Sequence, residues 1–152
     1  MDEKHLAILV ESLKHYFKEY HEASVEVSVP FIKKESSEIY QEYTGCISIS
    51  GEYRGAIYLS CSRRLIEEIA RMVLGANDLD EKDIVDMTGE FTNTIAGNAR
   101  KQLGSGFEIS VPMVITGSFS DINLPKFTNP IYVIPFVWKD EKAYMFVGLA
   151  VE

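Results

Sequence analysis

This chain is poor in the residues that build metal centres and disulfide scaffolds: its 152 residues include two cysteines and three histidines. Cys46 and Cys61 fall in extended patterns with no CxxC or Cys/His spacing around them. They read as buried free thiols, a usage that fits a reducing cytoplasm. His5, His15 and His21 all lie in or just after the first helical pattern, and none forms an HExxH pair, so they read as solvated helix-face histidines rather than zinc ligands. Basic charge is scarce as well. Fifteen Lys and Arg stand against 23 Asp and Glu, a net charge of −8, which disfavours nucleic-acid binding through phosphate neutralisation. The pairs Arg63-Arg64 and Arg100-Lys101 are isolated in that acidic background and read as ordinary helix-surface charges. There is no GxSxG elbow, and Gly104-Ser105-Gly106 follows a helix with no Lys-Ser or Lys-Thr pair after it, so it is a helix-ending turn and not a phosphate loop. No apolar run approaches the roughly 18 residues of a membrane span, and the cytosol is the expected location.

What is present is an ordinary globular composition, 46% apolar and 25% charged, in a length that makes residues 1–152 one expected domain with a core of its own. Helical apolar spacing predicts a first helix over 6–20. Val25, Val27 and Val29 alternate with polar residues up to Pro30, the pattern of a strand that the proline stops or places at an edge. Extended segments at 43–50 and 56–61 flank a turn punctuated by Gly51 and Gly55, giving a β-hairpin. Ser62 caps a second helix that Gly75 ends, and Asp78 and Asp80 open a third that runs to about Leu103. Beyond it, 107–119, 131–138 and 143–151 are β-rich, the last two forming a second hairpin about Asp140-Glu141-Lys142, with a loop at 120–130. The order of one helix, three strands, two helices and three strands predicts an α+β fold, a single two-layer domain with helices covering a largely antiparallel sheet.

The third helix is the unusual segment. Between Thr88 and Asn98 it carries two glycines, three threonines and two asparagines, which costs on the order of 4–5 kcal/mol against an all-Ala stretch if propensities add. Its apolar spacing is nevertheless helical. Ile84, Thr88, Phe91, Ile95 and Ala99 share one face, while Asp86, Glu90, Asn93 and Gly97 fall within roughly 60° of one another on the opposite face. Asp86 and Glu90 are like charges at i and i+4, an arrangement that weakens a helix by a few tenths of a kcal/mol. Gly89 and Gly97 are read as lying on the exposed side, where a missing side chain lets another molecule come close. By composition alone the strip reads first as a merely solvated face, and it is the two glycines that weigh against that reading.

Asp86-x3-Glu90-x2-Asn93, followed by Ala96-Gly97 and later by Pro112 on an extended segment, resembles the active-site signature of the CheC/CheX/FliY chemotaxis phosphatases, their CheX-like branch most of all. The likeness extends through the glycine-punctuated stretch from Gly45 to Gly55 and through Val111-Pro112-Met113-Val114-Ile115-Thr116-Gly117, and so covers most of the chain. CheC-type members repeat the signature in their first helix. Here that helix reads Glu11-Ser12-Leu13-Lys14 and Glu19-Tyr20-His21-Glu22, without Glu-x2-Asn, which resembles the one-site CheX arrangement. Eighteen residues separate Asn93 from Pro112, a few fewer than in the family pattern.

The resemblance implies a CheC-like fold and hydrolysis of the aspartyl phosphate of a CheY-like response regulator, the helix being inserted across the regulator's active site. Acyl-phosphate hydrolysis mainly needs a water held in line with phosphorus and stabilisation of the transferring charge. By resemblance, the Asn93 carboxamide, both donor and acceptor, orients the water. Mg²⁺ and a lysine belong to the regulator, so no cofactor and no metal is expected on this chain. Glu90 would pair with that lysine, a charge-assisted contact worth about 1.5–3 kcal/mol when water is excluded. Asp86, Gly89 and Gly97 would serve docking, and CheX-like proteins pair through their sheets, implying a homodimer. Two alternatives stand beside this reading: a module that binds a receiver or another signalling protein without hydrolysis, and a purely structural dimerising domain.

Overall fold

Helix α1 (Glu3–Lys18) begins at Asp2, whose carboxylate accepts from the His5 backbone N–H while the His5 ring accepts from the Asp2 N–H. This reciprocal cap sets the start three residues ahead of the first apolar repeat. Strands β1 (Glu26–Val27) and β2 (Phe31–Ile32) follow, then the hairpin β3 (Tyr43–Gly51) and β4 (Tyr53–Cys61), helices α2 (Arg63–Leu74) and α3 (Glu81–Leu103), strands β5 (Phe107–Ile109) and β6 (Met113–Thr116), and the hairpin β7 (Tyr132–Trp138) and β8 (Glu141–Val151). The computed structural model describes residues 1–20, 23–33, 41–117 and 130–151. The sequence expectations for His21, for 118–119 of the β-rich segment at 107–119 and for nearly all of the 120–130 loop lie outside the described residues.

All pairings are antiparallel, in the order β1-β7-β8-β4-β3-β5, with β2 also on β7 and β6 also on β3. The two hairpins are joined through β4 and β8, so the longest strands lie at the centre. Alternation along them sorts the side chains into two faces. Ile57, Leu59, Met145 and Val147 join the main core with Leu9, Leu13 and Phe17 of α1, Leu65 and Ile69 of α2, and Ile84, Phe91 and Ile95 of α3. Ala56, Tyr58, Val133 and Phe146 form a smaller cluster on the other face. The α+β class, the antiparallel sheet and the helical layer are as the sequence predicts.

Two strands differ from expectation. The strand read at 25–29 is only the two residues of β1, and the chain pairs again as β2 beyond Pro30. Pro135 of β7 sits between the two registers, so prolines on both chains interrupt one ladder. The segment from 107 is two strands, β5 against the end of β3 and β6 against its start, with Ser110, Val111 and Pro112 between them.

Three features position α3. Its start is capped by Asp80 in a reciprocal box with Asp83. The Tyr43 hydroxyl donates to Glu81 at 2.8 Å, and Arg63 at the head of α2 donates to both Tyr43 (2.9 Å) and Glu81 (2.5 Å), tying β3, α2 and α3 together. In its middle α3 lies directly on β3 at Gly45, where a Cβ would meet Thr92 Oγ1 and approach the Thr88 carbonyl oxygen to 3.2 Å. Only glycine allows that approach.

Candidate functional site

The residues that make α3 a poor helix divide into those the fold uses and those it does not. Thr88 and Thr92 are fully buried on Gly45, and their hydroxyls donate back to the carbonyls of Ile84 and Thr88, each at 2.8 Å. Thr94 does the same to Glu90 at 2.9 Å. Each hydroxyl is therefore satisfied inside the helix, at the modest helix-weakening cost of such back-bonding. Gly89 also lies on a packed side of the helix, and here the sequence reading of it as exposed is corrected. It is buried, and a Cβ there would make ordinary contacts, 3.6 Å from Val114 Cγ2 and 3.7 Å from Pro112 Cγ, so Gly89 is covered by the entry to β6 and is not part of the open strip.

Asp86, Glu90, Asn93 and Gly97 belong to the other group. Asp86 and Glu90 are exposed, Asn93 and Gly97 half-buried, and they face away from the core residues Phe91 and Ile95, as the helical projection predicts. Among the described residues, no hydrogen bond or ion pair engages the side chains of Asp86, Glu90 or Asn93. A Cβ on Gly97 would meet nothing within 4 Å, so no contact within the described chain explains a glycine in this helix.

The strip has defined neighbours. Phe91, next to Glu90, is held by the rings of Tyr16 (4.9 Å) and Phe17 (5.8 Å) from α1. Burial pushes the Tyr16 hydroxyl well above its ordinary pKa, with Tyr20 and the Glu90 carboxylate adding to the shift, which places negative charge close to that buried phenol. Through its contact with Gly89, Pro112 stands on the turn that carries Glu90, so the fold brings this proline to the same helix despite the shortened spacing. Past Asn93 the surface opens into a groove of about 620 Å³ along the second half of α3, its far wall formed by the turn at Gly104 and Ser105 and by Ile109 of β5. Arg100 and Lys101, read from sequence as ordinary surface charges, line this groove, and so does Asn93.

Chemically, the strip offers an amide able to donate and accept at once, a carboxylate for a cationic partner, and a bare stretch of helix between them and the groove. It offers no nucleophile and no general base beyond carboxylates. Among the described residues no three His, Cys, Asp or Glu side chains gather to hold a metal ion, and no helix is long and apolar enough to cross a membrane.

A family model described as "Chemotaxis phosphatase CheX" matches residues 43–137, more than half of the chain and all of α3. Among solved structures, the chemotaxis protein CheX from Vibrio vulnificus is 25% identical, with a TM-score of 0.83 over 97% of this chain and 99% of that one. A chemotactic CheC-like protein from Shewanella oneidensis superposes at a TM-score of 0.85 with 22% identity, covering 99% and 100% of the two chains. CheX in a CheX–CheY–BeF3–Mg²⁺ complex from Borrelia burgdorferi shares the fold at a TM-score of 0.75 and 17% identity, over 95% and 97%. No curated protein sequence matches the chain.

Proposed function

The chain belongs to the CheX family of chemotaxis phosphatases, and from that premise we propose that it hydrolyses the aspartyl phosphate of a CheY-like response regulator, with Asn93 orienting the attacking water and Glu90 docking on the regulator. The observation that carries this reading is the strip itself. Asp86 and Glu90 set like charges one turn apart, Asn93 and Gly97 are poor helix formers beside them, and none of the four serves the core. A surface kept at the expense of stability is a surface with a partner. The Borrelia relative, solved with CheY, supports the partner class.

On this reading α3 lies across the receiver's phosphoryl site. The Asn93 carboxamide donates to and accepts from one water, fixing it in line with phosphorus, and this converts a bulk-water encounter into a positioned one. Charge developing on the phosphoryl oxygens is met by the Mg²⁺ and lysine of the receiver; this chain supplies neither. Glu90 pairs with that lysine and so sets the angle at which Asn93 arrives. Asp86, one turn earlier, adds a docking charge, and Gly97, one turn later, keeps the surface low. Residues 1–152 act as one such domain, in the cytoplasm and as a homodimer, and light scattering that gave the mass of a single chain would remove the dimer from the proposal.

The test is the loss of phosphate from a phosphorylated CheY-like receiver with Mg²⁺ present. The native protein is expected to accelerate it and the folded Asn93→Ala variant is not. Equal acceleration by both would remove Asn93 from its role. If neither accelerates hydrolysis while phosphorylation-dependent binding persists, the receiver-binding module replaces the phosphatase.

A further inference from the structure

We infer that the groove beyond Asn93 is the second half of the docking surface and takes a carboxylate-bearing segment of the receiver beside its phosphorylated aspartate. This inference rests on the proposed phosphatase reading and adds to it a specificity site at Arg100 and Lys101. The chain has 23 acidic and 15 basic side chains, yet no carboxylate lines the groove. Its lining instead includes Asn93, Asn98, Arg100 and Lys101, with Ile109 on the opposite wall and Gly97 leaving its near end open. Neither Arg100 nor Lys101 makes an ion pair among the described residues, whereas Arg63, Arg64 and Arg71 of α2 all do.

The exposed side of α3 is therefore two-signed. Asp86 and Glu90 present negative charge at one end, Arg100 and Lys101 positive charge at the other, and Asn93 and Gly97 lie between. From residue 86 to residue 101 the helix advances about 22 Å, so the two charged ends are well separated. The helix dipole favours cations in a last turn and explains part of the placement. It does not explain why the turns from Asn93 to Lys101 carry no acid or why no carboxylate lines the groove. A chain of net charge −8 approaching a phosphoryl group also meets repulsion, and a local pair of cations offsets it where contact is made. Glu90 then selects for a cation on one side of the phosphoryl group and Arg100 with Lys101 for anions on the other, which fixes the direction in which the helix lies.

The experiment compares native protein, Arg100→Glu/Lys101→Glu and Arg100→Gln/Lys101→Gln in two assays. One is hydrolysis of the phosphorylated receiver at varied receiver concentration. The other is binding to the receiver with BeF3 and Mg²⁺. Both are run at about 50 mM and about 300 mM salt, across which charge screening changes strongly. Charge reversal is expected to raise KM and Kd by roughly tenfold or more at low salt, with kcat within about twofold, and to flatten the salt dependence; neutralisation gives a smaller shift in the same direction. Native hydrolysis with KM, Kd and salt dependence unchanged in both variants overturns the inference and leaves the phosphatase reading standing. Binding that weakens as expected in a protein that hydrolyses nothing sustains the groove and overturns the phosphatase reading instead. A native protein that neither binds nor hydrolyses the receiver overturns both.

Discussion

Helices α2 and α3 lie side by side on one sheet and follow opposite rules. Helix α2 does what a helix needs for itself. Ser62 caps its start, Gly75 closes it at φ 67°, and Arg63–Glu67 and Glu68–Arg71 pair along its surface. Helix α3 is about twice as long and has good caps, but its middle sets unpaired like charges four residues apart and a glycine where the described chain needs none. The first helix is explained by its own stability. The second is explained only when something outside the chain is added, and that contrast separates a structural element from a working one.

The largest expected effect breaks the contrast at its centre. Asn93→Ala should slow receiver dephosphorylation by about 100-fold or more, the scale of losing one positioned polar group, while thermal melting shows stability unchanged or slightly higher, since alanine is the better helix former. A simultaneous loss of stability would mean that Asn93 is structural. Next is the buried face. Gly45→Ala drives a methyl into Thr92, whose hydroxyl is already committed to the Thr88 carbonyl, and should destabilise the fold by about 1–3 kcal/mol in urea. Gly97→Ala should do the reverse, stabilising by about 0.5–1 kcal/mol while raising KM for the phosphorylated receiver. A variant equally active and more stable would show that Gly97 has no partner.

The smallest effect sharpens the comparison through pH. Arg71 chiefly, and Lys139 at 3.4 Å, hold the Glu68 carboxyl of α2 below its usual range. A lowered folded value means that its contribution is present at neutral pH and is lost as pH falls through it on acidification. Glu68→Gln should therefore lower stability slightly at pH 7, by under about 1 kcal/mol in thermal melting, and the difference should vanish on acidification. Asp86→Asn on α3 should be neutral or slightly stabilising at pH 7.

The helices, the two hairpins and the strip of Asp86, Glu90, Asn93 and Gly97 were legible in the sequence because each is a local period or cap. What was not legible depends on residues distant in the chain. Gly89 lies at the margin of the exposed face on a helical wheel, and Pro112 and Val114, at the entry to β6 and in it, cover it. Arg100 and Lys101 are an unremarkable pair until the turn at Gly104 brings Ile109 back beside them and makes a groove. The strand at 25–29 was read from its own alternation, but its ladder is cut where Pro30 meets a partner strand carrying Pro135.

The seating of α3 on Gly45 has a consequence for time as well as for space. The helix rests through Thr88 and Thr92 directly on β3, beside the centre of the sheet, so its middle turns are expected to open only when the sheet does. Amide hydrogen exchange there should track global unfolding, and the surface that meets a partner is then already in its bound shape before the encounter. Association would be governed by diffusion and orientation, with no folding step to wait for.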